Sequence, residues 1–272
     1  MLNELASLRR RRWRQHRAGR IETLAQAERF VRTVQLALPW PVPGIELPDL
    51  LSAARGRPVA RPGFRDWDEA LDRVWAWKDE LPARGVAFYG EAPWSRVGFV
   101  AAAVVPAFLR LSDIASWGVE EAVRRGLLSP LALSIVEVLE REGQLPTMAL
   151  RRAALGAAGS RTGEFKRVLA ELERGWVVGR CGTARERGAA WASTVYCLLD
   201  TIFPGASSAR PRSDEEARGI IATAFLRASV WTSPARLARM FRWPLRQALG
   251  ALEAAGARRL TETAWVDPEA LL

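Results

Sequence analysis

The stretch FKRVLAELERG, residues 165–175, aligns with LRQALGALEAA, residues 245–255, so that Leu169 and Leu172 fall on Leu249 and Leu252. A chain that repeats itself builds several similar cores rather than one large one, and this constrains the fold more than any single motif. Around each copy the same order of elements recurs. The first third reads as helices over 21–38, 46–56 and 66–85, with Thr23 as an N-cap and PWPVPG (39–44) as a stop, then strands over 86–90 and 96–105. The middle third reads as helices over 130–143, 146–156 and 160–175, the first ended by Gly143, the second with Pro146 near its first turn and the third capped by Ser160 or Thr162. Strand-like ends around a Gly- and Arg-bearing turn follow over 176–193, and a closing helix over 194–204. The last third reads as helices over 217–229, 233–241 (Ser233 cap, Pro234 at the first position) and 244–256, then a small hairpin over 257–268.

Three helices followed by a hairpin is the order of a winged helix, a helix-turn-helix variant whose third helix enters the major groove and whose hairpin touches the backbone. The expected fold is therefore mainly α with small β-hairpins, an α+β class of three tandem winged-helix units. A basic N-terminal arm over 1–20 leads into units over 21–127 and 128–204, a linker over 205–216, and a third unit over 217–272.

Forty basic residues against 30 acidic ones leave a net charge of +10. A chain this basic faces a polyanion, and double-stranded DNA is the expected partner. Only Lys78 and Lys166 are lysines; the other basic residues are arginine. Two cysteines, Cys181 and Cys197, make neither a disulfide framework nor a zinc site, and His16 is the sole histidine, so no metal and no cofactor are expected. The longest apolar run, GFVAAAVVPAFL (98–109), is short for a bilayer and broken by Pro106, and the first twenty residues lack a signal-peptide apolar core. These features predict a cytoplasmic, nucleoid-associated monomer with no membrane association.

Residues 9–20, RRRRWRQHRAGR, hold seven arginines and no acid. Such a run repels itself in free solution, so Arg9, Arg10, Arg11 and Arg12 are expected to form a phosphate-binding arm that orders on DNA. Position along the repeat suggests further contacts. The start of the third helix of unit two offers Arg161, Lys166 and Arg167, and its wing offers Arg180, Arg185 and Arg187. Unit three offers Arg242, Arg246, Arg258 and Arg259. No helix start carries a set of Asn, Gln and Arg rich enough to read a base sequence, which suits a reader of shape or lesions better than an operator-specific repressor.

RVWAWKDELP (73–82) holds one of the two lysines. On the 66–82 helix Leu71, Val74 and Leu81 form an apolar stripe, and Lys78 lies along it with no acidic residue three or four positions away. Asp79 likewise lacks a basic residue at that spacing, whereas Arg73 has Glu69. Both are expected to find partners outside their own helix. A tertiary ion pair with another unit is one reading. The other is chemical: lysine, unlike arginine, can lose its proton and attack a carbon. Twelve tryptophans are many; most are expected in cores, with Trp75, Trp77 and Trp243 as candidates for stacking on a base.

RIETLAQAERFVRTVQLALPWP (20–41), DRVWAWKDELPARGVAFYG (72–90) and LARMFRWP (237–244) resemble the AlkZ/YcaQ type of bacterial tandem winged-helix proteins, and most closely its AlkZ-related branch. That type includes DNA glycosylases acting on alkylated bases and interstrand crosslinks. The resemblance implies a Gln-x-Gln or Gln-x-Asp motif at the end of an early helix, whose second residue places the attacking water. Here the match is Gln35, Leu36, Ala37, and Ala37 cannot hold a water. Lys78 and Asp79 are then the remaining catalytic candidates beside Gln35, the lysine as a Schiff-base nucleophile and the aspartate as base or oxocarbenium stabiliser.

Three functions compete on this sequence: a DNA-repair protein with glycosylase, hence hydrolase, activity; a non-catalytic winged-helix DNA-binding protein or transcription regulator, supported by Ala37; and a protein-binding scaffold, which predicts arginines that do not gather on one face.

Overall fold

The computed structural model describes residues 2–91, 94, 96–156, 162–185, 191–261 and 264–271. Helix α1 (Leu2–Arg12) precedes the first unit, which runs α2 (Leu24–Val34), β1 (Leu36–Ala37), α3 (Leu50–Arg55), α4 (Glu69–Ala83), β2 (Ala87–Glu91) and β3 (Val97–Ala101). Short helices α5 (Val105–Leu111), α6 (Asp113–Trp117) and α7 (Val119–Arg124) lead to the second unit: α8 (Pro130–Glu142), β4 (Gln144–Pro146), α9 (Thr147–Leu155), α10 (Thr162–Arg174), β5 (Val178–Ala184) and β6 (Ser193–Leu198). After α11 (Leu199–Ile202) comes the third: α12 (Asp214–Ser229), β7 (Trp231–Thr232), α13 (Pro234–Phe241), α14 (Leu245–Ala254), β8 (Arg258–Arg259) and β9 (Trp265–Val266).

Each unit carries an antiparallel three-stranded sheet of the same topology, β1-β3-β2, β4-β6-β5 and β7-β9-β8. This is the winged-helix arrangement three times over. The sequence reading lacked the first strand of each sheet. The expected helix over 21–38 ends at Val34, because Gln35 turns the chain at φ 63° and Leu36–Ala37 pair with Val100 and Phe99. Gly143 at φ 77° and Val230 at φ 72° make the equivalent turns in units two and three. The expected closing helix over 194–204 is mostly strand: Val195, Tyr196 and Cys197 pair with β4 on one side and with β5 on the other, and only 199–202 coil.

The sheet of unit one is covered on both faces. Leu36, Phe88 and Val100 enter one core with α5 and α12, while Ala37, Ala87, Tyr89 and Phe99 enter the other with α2, α3 and α4. Double coverage explains the unbroken apolar runs of its strands. Helix α12 is the spine of the molecule and is buried on most sides by small residues; a Cβ on Gly219 would meet Cβ of Ala254 at 3.1 Å. It starts three residues earlier than expected, where the Ser213 side chain accepts from Glu216 N. Among the described residues no helix is long and apolar enough to cross a membrane.

The N-terminal segment is not a free arm. Helix α1 docks on the end of α12, whose last carbonyls have no intrahelical donors. Arg9 Nε donates to Ser229 O at 2.8 Å, Arg12 Nη1 to Arg227 O at 3.1 Å and Trp13 Nε1 to Ala228 O at 2.6 Å. Cations at a helix C-terminus also suit its dipole. The cluster of arginines is tolerated because it meets carbonyls, Glu46 and Asp267 rather than water alone.

Candidate nucleic-acid interface

Helix α4 begins at Asp68, whose side chain accepts from Leu71 N at 2.8 Å, and buries Leu71, Val74, Trp77 and Leu81. Trp77 is therefore core, not a stacking surface. Trp75, two residues earlier, points outward: it is 46% exposed, stacks on Trp40 (6.1 Å between centroids, 13° between planes) and meets Trp67 at 5.5 Å and 57°. Lys78 Nζ sits 4.4 Å from the Trp75 ring centre.

Lys78 and Asp79 find each other rather than another unit. Nζ lies 2.8 Å from both carboxylate oxygens, in side chains only 13% and 19% exposed. Consecutive helical residues normally diverge, but the four-carbon stem of lysine reaches back across the turn. Helix α4, which carries the pair, packs against β5 at the junction between units one and two. Asp79 is near enough to Tyr89 for its charge to help raise that phenol, whose shift is due first to burial, with Arg180 opposing and Glu173 assisting.

That junction claims Arg180, which the sequence offers to DNA. Its Nε and Nη2 donate to Glu173 at 2.7 and 3.2 Å, and its guanidinium lies 5.2 Å from the Tyr89 ring. Burial alone would lower its affinity for a proton; the Glu173 charge overcomes this and raises it. Across the same seam Glu91 N donates to Glu173 at 3.0 Å and Arg174 pairs with Glu91.

Arg9 and Arg12 are likewise engaged within the fold. Arg9 lies 3.2 Å from the Trp231 ring centre and pairs with Glu46, and burial lowers its pKa to about 10, opposed by Glu46. Arg12 pairs with Asp267 at 2.7 Å. Arg10, Arg11, Lys166, Arg185, Arg242, Arg246, Arg258 and Arg259 are exposed, as is Arg167, which pairs with Glu171 along its helix. Arg161 and Arg187 lie outside the described residues. Trp243 is half-buried and stacks on Phe241 (4.9 Å, 28°), at a crevice of about 420 Å³ that Trp176, Phe108 and Asp113 also line.

Gln35 is half-buried at its positive-φ turn, while Ala37 is wholly buried against Phe99. The Ala37 side chain thus faces packed hydrocarbon.

The guanidinium groups gather in two clefts. Arg96, Arg236, Arg239 and Arg242 line one of about 380 Å³ between the 42–46 loop and α13, together with Glu46, which pairs with Arg236 at 2.8 Å. Arg11, Arg12, Arg14, Arg20 and Arg29 line another of about 320 Å³ between the N-terminal segment and α2. Arg239, Arg14 and Arg29 are exposed and have no carboxylate partner among the described residues. These clefts are not legible in the sequence, because their residues come from distant segments. Trp67 and Trp40 went unnoticed too; a signal existed in the aromatic spacing around the 66–83 helix.

Three winged-helix units with arginine-lined clefts and an outward tryptophan cluster define a tandem winged-helix protein. The chain belongs to the family described as AlkZ related, whose model matches residues 21–242. It is similar in fold to the Streptomyces sahachiroi DNA glycosylase AlkZ, with a TM-score of 0.58 and 14% identity over 98% of this chain and 69% of that one. No curated protein matches.

Proposed function

We propose that this protein binds double-stranded DNA as a monomer in the cytoplasm and acts in DNA repair, as a glycosylase-like hydrolase of alkylated or crosslinked bases. The observation that carries DNA binding is the gathering of arginines into two clefts, which a scaffold binding neutral partners has no reason to build. Exposed Arg10, Arg11, Arg185, Arg242, Arg246, Arg258 and Arg259 extend the phosphate contacts, together with Lys166 and Arg167. None of the third helices presents a base-reading set. The solvent side of α4 carries Glu69, Asp72 and Glu80, that of α10 carries Lys166 and Arg167, and that of α14 carries Leu245, Arg246 and Leu249. Recognition by shape or by a lesion fits those faces better than operator reading.

For chemistry, Lys78 and Asp79 are the catalytic candidates, with Gln35 as a substrate-positioning side chain. Asp79 stands within hydrogen-bond reach of the lysine proton that must leave before Nζ attacks a sugar carbon, or it serves as base toward a water. The non-catalytic reading is kept because one observation favours it: Ala37 is 0% exposed in a packed strand.

Base release from alkylated and crosslinked duplexes decides between them. The glycosylase reading expects release by the native protein, a drop of about 100-fold or more in Asp79→Asn, and a loss in Gln35→Ala. Borohydride trapping with Lys78→Ala as control tests the Schiff-base route. No release from any substrate, with duplex binding intact, establishes the non-catalytic reading.

A further inference from the structure

Trp67, at the end of the loop between α3 and α4, joins that loop to the tryptophan cluster and lies outside the two arginine-lined clefts. Trp67 and Trp75 leave 48% and 46% of their area in solvent, in contact with each other and backed by Trp40. Two large aromatic rings held together in water cost free energy that a soluble protein avoids without a use for them. The loop is also held in place. Arg55 Nε donates to Asp68 at 2.9 Å and Arg55 Nη2 to Asp66 O at 3.0 Å, so the residues on both sides of Trp67 are anchored. Gly63 N donates to the Asp66 carboxylate at 2.7 Å and closes the turn before it. The tryptophan is thereby presented on a fixed backbone.

The charges around the platform select its ligand. Arg57, Arg61 and Arg65 on the loop are exposed, and among the described residues none has an ion-pair partner; of the loop's two carboxylates, Asp68 is paired with Arg55 and Asp66 accepts from Gly63 N, so the loop keeps an excess of positive charge. On the helix side Glu69, Asp72 and Glu80 are exposed, and Lys78 is neutralised by Asp79. A ligand must therefore present flat, uncharged faces to the tryptophans and anionic groups to the loop alone. A duplex keeps its base faces stacked on one another and offers none to the tryptophans. A single strand offers both, since its bases unstack freely and its one backbone can follow the loop.

We infer that Trp67 and Trp75, with Arg57, Arg61 and Arg65, form a binding platform for a short single-stranded segment of DNA. The platform operates whether or not the protein releases bases, because it needs stacking and phosphate contact but no bond cleavage.

Fluorescence anisotropy on labelled oligo(dT) of about 12 nucleotides and on a duplex of equal length tests it, with the full chain. The Trp67→Ala/Trp75→Ala variant is expected to weaken oligo(dT) binding by at least about tenfold and duplex binding by less than about twofold, with Phe at both positions restoring most of the loss. The Arg57→Ala/Arg61→Ala/Arg65→Ala variant is expected to flatten the salt dependence for oligo(dT) by up to about two units of slope. Oligo(dT) should quench native tryptophan fluorescence, a readout that needs no variant. Unchanged oligo(dT) affinity in the tryptophan variant, parallel loss of duplex binding, or absence of quenching overturns the proposal. Base release measured in parallel reports on the glycosylase reading separately, since its absence leaves the oligo(dT) results standing.

Discussion

Arg180 and Glu173 form a buried ion pair within the second unit: two guanidinium nitrogens meet one carboxylate at 2.7 and 3.2 Å, in a glutamate whose side chain is 2% exposed. The same carboxylate accepts from Glu91 N in β2, so one buried anion joins the wing strand of unit two, the third helix of unit two and the edge of the unit-one sheet.

Removing one partner of such a pair strands a buried charge. Arg180→Ala is expected to cost about 3–5 kcal/mol in urea unfolding. It should leave the salt slope of DNA binding unchanged, since Arg180 meets Glu173 and not phosphate. A flatter slope with little loss of stability would return Arg180 to the DNA surface.

The cluster on α1 divides in the same way. Arg12→Ala leaves Asp267 buried without its guanidinium and should destabilise by about 3 kcal/mol. Arg10→Ala and Arg11→Ala should stay within about 0.5 kcal/mol of the native protein, yet each should flatten the duplex salt slope by about 0.9. Thermal melts and salt titrations of the three variants check the division.

Asp49 caps α3, accepting from Ser52 N at 2.7 Å, and burial lifts its pKa from 3.8 to about 6 against those hydrogen bonds. The folded chain therefore holds a proton, between those two values, that the unfolded chain has released. This contribution to stability is fully present below about pH 4 and is lost as pH rises through 6. Asp49→Asn keeps the capping oxygen and removes the buried charge. It should stabilise the protein by up to about 3 kcal/mol at neutral pH and by little near pH 4. Melting curves in which the gain fails to shrink as pH falls would contradict this.

Gln35 sits at φ 63°, a conformation that costs a residue with a Cβ about 1 kcal/mol or more. Gln35→Gly should raise the melting temperature slightly while removing the side chain proposed to position substrate. Greater stability with lower base release would separate strain from function. Equal activity would leave Gln35 a mere turn residue.

Much of the architecture was legible because its signals are local. Apolar periodicity marks α2, α8, α10 and α14, while Thr23 and Ser233 cap helices through contacts three residues long. The first strands of the sheets were not legible. Two of their turns are made by Gln35 and Val230, which give no glycine signal, and strands of two residues have no periodicity to read. At the candidate site the odd lysine is visible in the sequence but its partner is not, because helical spacing rules describe Cβ directions and not the reach of a long side chain.

The order of elements, the three units and the excess of positive charge follow from the chain itself, since each depends on residues within a few positions of one another or on composition alone. Which arginines remain free was decided by tertiary packing. Arg9, Arg12 and Arg180 look like their neighbours in sequence, and only the carbonyls of α12 and the carboxylates of Asp267, Glu46 and Glu173, brought to them by the fold, engage them within the protein. Burial of an ion is a property of three-dimensional neighbours, and one-dimensional spacing does not encode it.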